Sequence, residues 1–154
     1  MKNLRLVFKE PPIFGGQSQF AAKASLASLK QGKYYAFHDT FLSVDKPLTN
    51  KIEIVFQTEK TDLNVDQLKK DMEDHSIQQQ LKDKFQLAQA LQLVGTPTFV
   101  VGNKLLDQFH FIPGGTSQKN IQNAIDQVAR PIRRINKSYY LTFIFHLQPQ
   151  KKEK

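Results

Sequence analysis

Residues 95–103 (Gly95-Thr96-Pro97-Thr98-Phe99-Val100-Val101-Gly102-Asn103) constrain the fold more than any other stretch. The pattern reads as the end of a helix, a sharp turn at a proline, a strand and a tight hairpin. Gly95 closes the helical pattern before it, as a C-terminal glycine would. Pro97 has no N–H and a fixed φ, so it cannot continue that helix, and it pushes Thr96 toward extended backbone. Phe99, Val100 and Val101 favour a strand, and Gly102-Asn103 is a short hairpin signal that puts a second strand within 104–111. A proline at the head of a strand is tolerated where the strand edge is open, which leaves backbone groups for a partner. X–Pro bonds also adopt the cis form far more readily than other peptide bonds.

The remaining elements follow from periodicity. Leu4, Leu6 and Phe8 alternate with Arg5 and Val7 up to Pro11-Pro12, a strand of about six residues stopped by residues that cannot donate to a ladder. Gln17–Leu29 is rich in alanine and leucine, with Phe20, Ala24 and Ala27 on one helical face, and Gly32 ends it. Tyr34, Phe37, His38 and Phe41 share a face of the next helix. A polar connector with Pro47 covers 43–50. After it, Ile52, Ile54 and Phe56 alternate like a strand, while Ile52, Val55 and Phe56 fit a helical stripe; Thr49 as a cap favours the helix. Asn64 with Gln67 makes a capping-box-like start for a helix carrying Val65, Leu68 and Met72. A break near His75-Ser76 precedes a helix over 77–93, whose stripe is Ile77, Leu81, Phe85, Ala88 and Leu91 or Gln92. Pro113-Gly114-Gly115 turns the chain, Ser117 or Thr116 caps a last helix with Ile121, Ile125 and Val128, and Pro131 ends or kinks it. The first strand and the Pro97 strand are expected to run parallel, joined by a crossover enlarged into helices.

The 154 residues suit one domain. The chain has no cysteine, which excludes disulfides, thiolate metal sites and cysteine nucleophiles together. Its net charge of +8 is unevenly placed. Residues 1–129 hold 15 Lys/Arg against 13 Asp/Glu, and residues 130–154 hold 7 against Glu153 alone. Basicity is therefore a property of the tail, and no specific nucleic-acid partner is implied. Met1–Arg5 lacks the apolar run of a signal peptide, and no stretch has the length and apolarity of a membrane span. Tyr139–Leu147 is a β-prone run flanked by lysines, readable as a supplementary strand, an amphipathic anchor or an aggregation-prone segment. His38, His75, His110 and His146 lack metal-ligand spacing, and His38 reads as a packed histidine. Asp71, Glu73 and Asp74 read as a solvated helix end near Lys69 and Lys70. Gly15-Gly16 and Gly114-Gly115 lack the spacing of a phosphate cradle, and Tyr34, Tyr35, Phe37 and Phe41 read as core. No cofactor and no metal is implied.

The Gly95–Asn103 run resembles the cis-proline loop of DsbA-like thiol–disulfide oxidoreductases, a branch of the thioredoxin superfamily. Other segments agree in order. Leu4–Glu10 with Pro12-Ile13 resembles the family strand after the active-site helix, and Phe20–Leu29 the alanine-rich helix that follows. Tyr35-Ala36-Phe37-His38-Asp39 resembles the aromatic helix, and Phe111-Ile112-Pro113-Gly114 the segment before the last helix. The resemblance spans about residues 3–129 and departs in one respect: the family's Cys-x-x-Cys is absent.

The fold implied is α/β, a thioredoxin-like (DsbA-like) sheet with a helical insertion, incomplete at its N-terminus because the chain starts where the active-site helix would have ended. The division expected is 1–16 plus 95–129 as the thioredoxin-like part, 17–94 as the insertion and 130–154 as a basic tail or extension. By resemblance Thr96 and Pro97 bind polypeptide substrate through strand addition, and no residue is catalytic; the bland alternative is a proline kept for its turn. The first functional reading is a domain related to disulfide oxidoreductases but redox-inactive. The second is a non-catalytic peptide-binding or chaperone-like module using Thr96-Pro97, and the third an enzyme resembling kappa-class glutathione transferases. Expected partners are an extended or unfolded polypeptide, a second copy, or a complementing N-terminal fragment. The family is typically periplasmic or exported, whereas this chain shows no export signal, so the compartment stays open.

Overall fold

In the computed structural model, which describes residues 4–44, 51–103, 108–129 and 139–144, the elements follow in the order β1 (Leu4–Lys9), α1 (Gly16–Lys30), α2 (Tyr34–Leu42), α3 (Lys51–Glu59), α4 (Val65–Met72), α5 (His75–Ala90), β2 (Thr98–Asn103), β3 (Gln108–Pro113), α6 (Gln118–Ala129) and β4 (Tyr139–Ile144). They form two compact units. One gathers β1 with the described residues of 92–145, and the other holds the helices of residues 10–91.

The helical unit is built around α1, which contacts α2, α3, α4 and α5. Ala21, Ala22, Ala24 and Ala27 are all buried there, and side chains this small let neighbouring helices approach closely. Larger side chains fill the space between: Phe37, stacked on Phe41 with centroids 4.5 Å apart, with Ile54, Leu68, Met72, Ile77 and Leu81 in the same cluster. Gly32 at φ 69° makes the turn after α1, its N–H donating to the Leu29 carbonyl at 3.0 Å.

The ambiguous segment after the polar connector is the helix α3, but its inward face differs from the expected stripe. Ile54, Gln57 and Thr58 are buried, whereas Phe56 is 57% exposed. Thr49 lies outside the described residues. At α4, Asn64 Oδ1 accepts the Gln67 N–H at 2.9 Å, yet the return arm of a capping box does not form. Gln67 donates to Asp71 instead, and the Gln31 side chain clamps the Asn64 backbone by accepting its N–H at 3.0 Å and donating to its carbonyl at 3.1 Å. The break before α5 lies at Glu73-Asp74, because Asp74 Oδ1 caps the helix by accepting the Ser76 N–H at 2.8 Å. At the other end α5 stops at Ala90, and Gln92 rather than Gly95 takes the left-handed backbone conformation, with φ 51°.

The sheet has the strand order β1-β4-β2-β3. β4 runs parallel to β1, from Leu4 opposite Tyr139 to Lys9 opposite Ile144. It runs antiparallel to β2, from Thr98 opposite Ile144 to Gly102 opposite Tyr140. β2 and β3 pair antiparallel from Thr98 opposite Pro113 to Asn103 opposite Gln108. Three expectations change. β1 and β2 are neither parallel nor neighbours, because β4 lies between them. Gly102 and Asn103 belong to the ladder, so the hairpin connection falls at 104–107, outside the described residues. Finally, 139–144 of the β-prone run is an interior strand, with 145–147 outside the described residues. α6 packs on β2 and β3, where Ala124, Ile125 and Val128 join Val101 in a cluster flanked by Leu4, Ile112 and Ile121. Ser117 is its cap, with Oγ accepting the Asn120 N–H at 3.2 Å, while Thr116 Oγ1 accepts from the Asn120 side chain. α6 ends at Ala129; Pro131 lies outside the described residues.

Candidate functional site

The Thr96–Pro97 peptide bond is cis, and both residues are half-buried in the segment that leads into β2. The Thr98 hydroxyl donates to the Gly95 carbonyl at 2.9 Å, tying the loop back on itself one residue beyond the proline. Thr98 is also the first paired residue of β2 on both sides, facing Ile144 and Pro113. Pro97 therefore stands just ahead of the ladder and costs it no N–H. The strand it introduces is interior, in contrast to the open edge expected from the sequence; the sheet edges belong to β1 and β3. Val94, three residues before Pro97, is an apolar side chain left 91% exposed.

A second polar group lies in the helical unit and was missed by sequence reasoning. Glu10 is 1% exposed, and its Oε1 accepts the Tyr34 hydroxyl at 2.7 Å and lies 3.1 Å from His38 Nδ1. Tyr34 and His38 stack with centroids 5.7 Å apart. Burial, reinforced by the Glu10 carboxylate, pushes the Tyr34 phenol well above its ordinary range. Half of this arrangement was visible: Tyr34 and His38 fall one helical turn apart on the inward face of α2. Glu10 lies 24 and 28 residues from them, and nothing local announces that partnership. His38 is thus a packed histidine with a carboxylate partner.

The acidic residues 71–74 find their cations on α1 rather than at Lys69 and Lys70. Lys30 hydrogen-bonds Asp74 and lies 3.7 Å from Asp71, and Lys23 approaches Glu73 at 3.8 Å. The Lys30 hydrogen bond, aided by the Ser76 N–H, holds the Asp74 carboxyl well below the usual carboxylate range. The same hydrogen bond raises Lys30. Lys30, Glu73 and Asp74 are more than a third exposed and Lys23 and Asp71 less so, and the pairs tie α1 to the junction of α4 and α5. Phe85, expected in the core, is 40% exposed because it lines a groove of about 380 Å³ with Leu81, Pro12, Gly15 and Gln19. Among the described residues no three His, Asp or Glu side chains gather as metal ligands, and no helix is long and apolar enough to cross a membrane.

The family model of the DSBA-like thioredoxin domain matches residues 1–126. The chain belongs to that family. A solved structure, a thioredoxin-like oxidoreductase from Silicibacter pomeroyi DSS-3, is similar at 35% identity with a TM-score of 0.70, over 80% of this chain and 67% of that one. Among curated proteins none matches. The DsbA-like span includes β1, β2, β3, the Thr96-Pro97 loop and the Glu10, Tyr34, His38 group. It ends before β4.

Proposed function

We propose that this DsbA-family chain acts on polypeptides without redox chemistry, holding an extended segment at the Thr96-Pro97 loop. The observation that carries the reading is a family-type sheet whose proline loop is kept in a chain with no cysteine. Thiol–disulfide exchange begins with a thiolate attacking a disulfide sulfur, and this chain has no thiol to offer. Polypeptide binding needs less. Backbone hydrogen bonds to an extended segment give affinity with little sequence preference, and an apolar neighbour adds area. Thr96 and Pro97 are half-exposed at the head of a strand, and Val94 supplies the apolar neighbour.

Two measurements test this. Oxidation of a reduced two-cysteine peptide by glutathione disulfide should proceed at the same rate with and without the chain; acceleration by the protein would overturn the redox-inactive reading. A fluorescently labelled, permanently unfolded polypeptide should bind saturably by anisotropy. Val94→Asp should weaken that binding by about tenfold, the equivalent of burying one aliphatic side chain. Equal affinity in the variant would remove the loop as the binding place.

A further inference from the structure

The last described strand, β4, lies inside the sheet, and the consequence is a binding slot. β1 has β4 as its described sheet neighbour, β2 has β4 on one side and β3 on the other, and β1 and β2 do not pair. β4 is therefore the hydrogen-bonded bridge between β1 and the β2–β3 hairpin, matched to six residues on one rim and five on the other. The rims belong to the family-matched span of 1–126, whereas the strand that fills them does not. α6 packs on β2 and β3, so the wall of the slot on that side has its own support. Among the described residues no element follows β4, so its exchange threads no described element through the fold.

We propose that the slot between β1 and β2 is a strand-binding site whose second occupant is β4 of another copy of this chain. The pairing is the same in either case, parallel to β1 and antiparallel to β2, so exchange replaces every backbone hydrogen bond one for one. Nine residues separate Ala129 from Tyr139, and the rest of the chain keeps its place while β4 crosses to the neighbour. What distinguishes the two forms is the entropy of association against that of the connection, and concentration sets the balance. The slot also selects its occupant. The opposed ladders require a strand that pairs parallel on one side and antiparallel on the other, and Tyr139–Ile144 has the β-branched and aromatic side chains that favour this.

The absence of cysteine gives a silent background for trapping the exchange. Val100 faces Thr142 across the β2–β4 ladder. Full-length V100C and T142C chains, purified separately, are unfolded together, refolded as a mixture and oxidised. A disulfide joining residue 100 of one copy to residue 142 of the other is expected, at twice the chain mass. While its fraction is small it should rise about tenfold for a tenfold rise in concentration, as mass action requires. A mixture of T142C with V94C, whose cysteine sits on the exposed loop, measures random collision and should give far less product. Equal product in the two mixtures, or none in the first, overturns the proposal. Wild-type chain in analytical ultracentrifugation is independent of variant folding: a dimer growing with concentration is expected, and a monomer throughout would overturn the proposal as well.

Discussion

The helical unit and the sheet unit are assembled from differently distributed sequence. All of α1 to α5 lie within one contiguous stretch, residues 10–91, and their core is made by neighbours along the chain. The sheet collects strands from 4–9, 98–103, 108–113 and 139–144, so β1 and β4 meet across most of the chain length. Helices form from local hydrogen bonds and then pack, whereas a non-local strand pair orders a long loop before its contacts repay that entropy. Stability in the first unit is thus distributed among side chains in one core. In the second it depends on a strand in the middle.

The comparison is tested most strongly at the helical core. Phe37 is completely buried against Phe41, and Phe37→Ala should cost about 3–5 kcal/mol in urea unfolding, through lost burial and the cavity left behind. A loss below about 1 kcal/mol would show that the core collapses to fill the space. Next comes the centre of the sheet. Thr142 pairs with Val7 on one side and Val100 on the other, and Thr142→Pro should cost about 3 kcal/mol through ladder hydrogen bonds lost to the ring. Hydrogen exchange should show β1 and β2 amides losing protection together; unchanged protection there would mean that β4 is dispensable to both.

The buried polar group is worth less. Glu10→Ala removes the acceptor shared by Tyr34 and His38 and should cost about 1–3 kcal/mol, with partial recovery in Glu10→Gln, which keeps an acceptor oxygen. Equal losses in the two variants would make packing, rather than hydrogen bonding, the role of Glu10. The smallest effect is the surface pair. Asp74 is held below its ordinary value of 3.8, so its contribution is present above that pH and is lost as pH falls through and below it. Asp74→Asn should therefore flatten the acid limb of the stability curve below about pH 4. An unchanged acid limb would assign that dependence to other carboxylates.

Legibility followed the same division. The alanine face of α1, the aromatic face of α2 and the Asn64 cap could be read directly, because helix period and capping act over three or four residues. The face of α3 could not, since a nine-residue helix with apolar residues at 52, 54, 55 and 56 offers several stripes and only packing selects Ile54 over Phe56. Phe85 fitted the α5 stripe but lines a groove beside Pro12, Gly15 and Gln19 and stays partly exposed there. At the candidate site, Thr96 and Pro97 were evident from their turn chemistry and the family resemblance. Glu10 was not, because its partners are brought to it by the fold.

The sequence by itself determined the family, the absence of any thiol, the helices and the turn at Thr96-Pro97, all of which rest on residue identity or on short-range periodicity. Only the tertiary structure decided that Glu10 Oε1 meets Tyr34 and His38, that β2 is interior, and that residues 139–144 stand between β1 and β2. A strand's own pattern states that it will pair, and its partners are chosen by the backbone edges the rest of the fold presents to it.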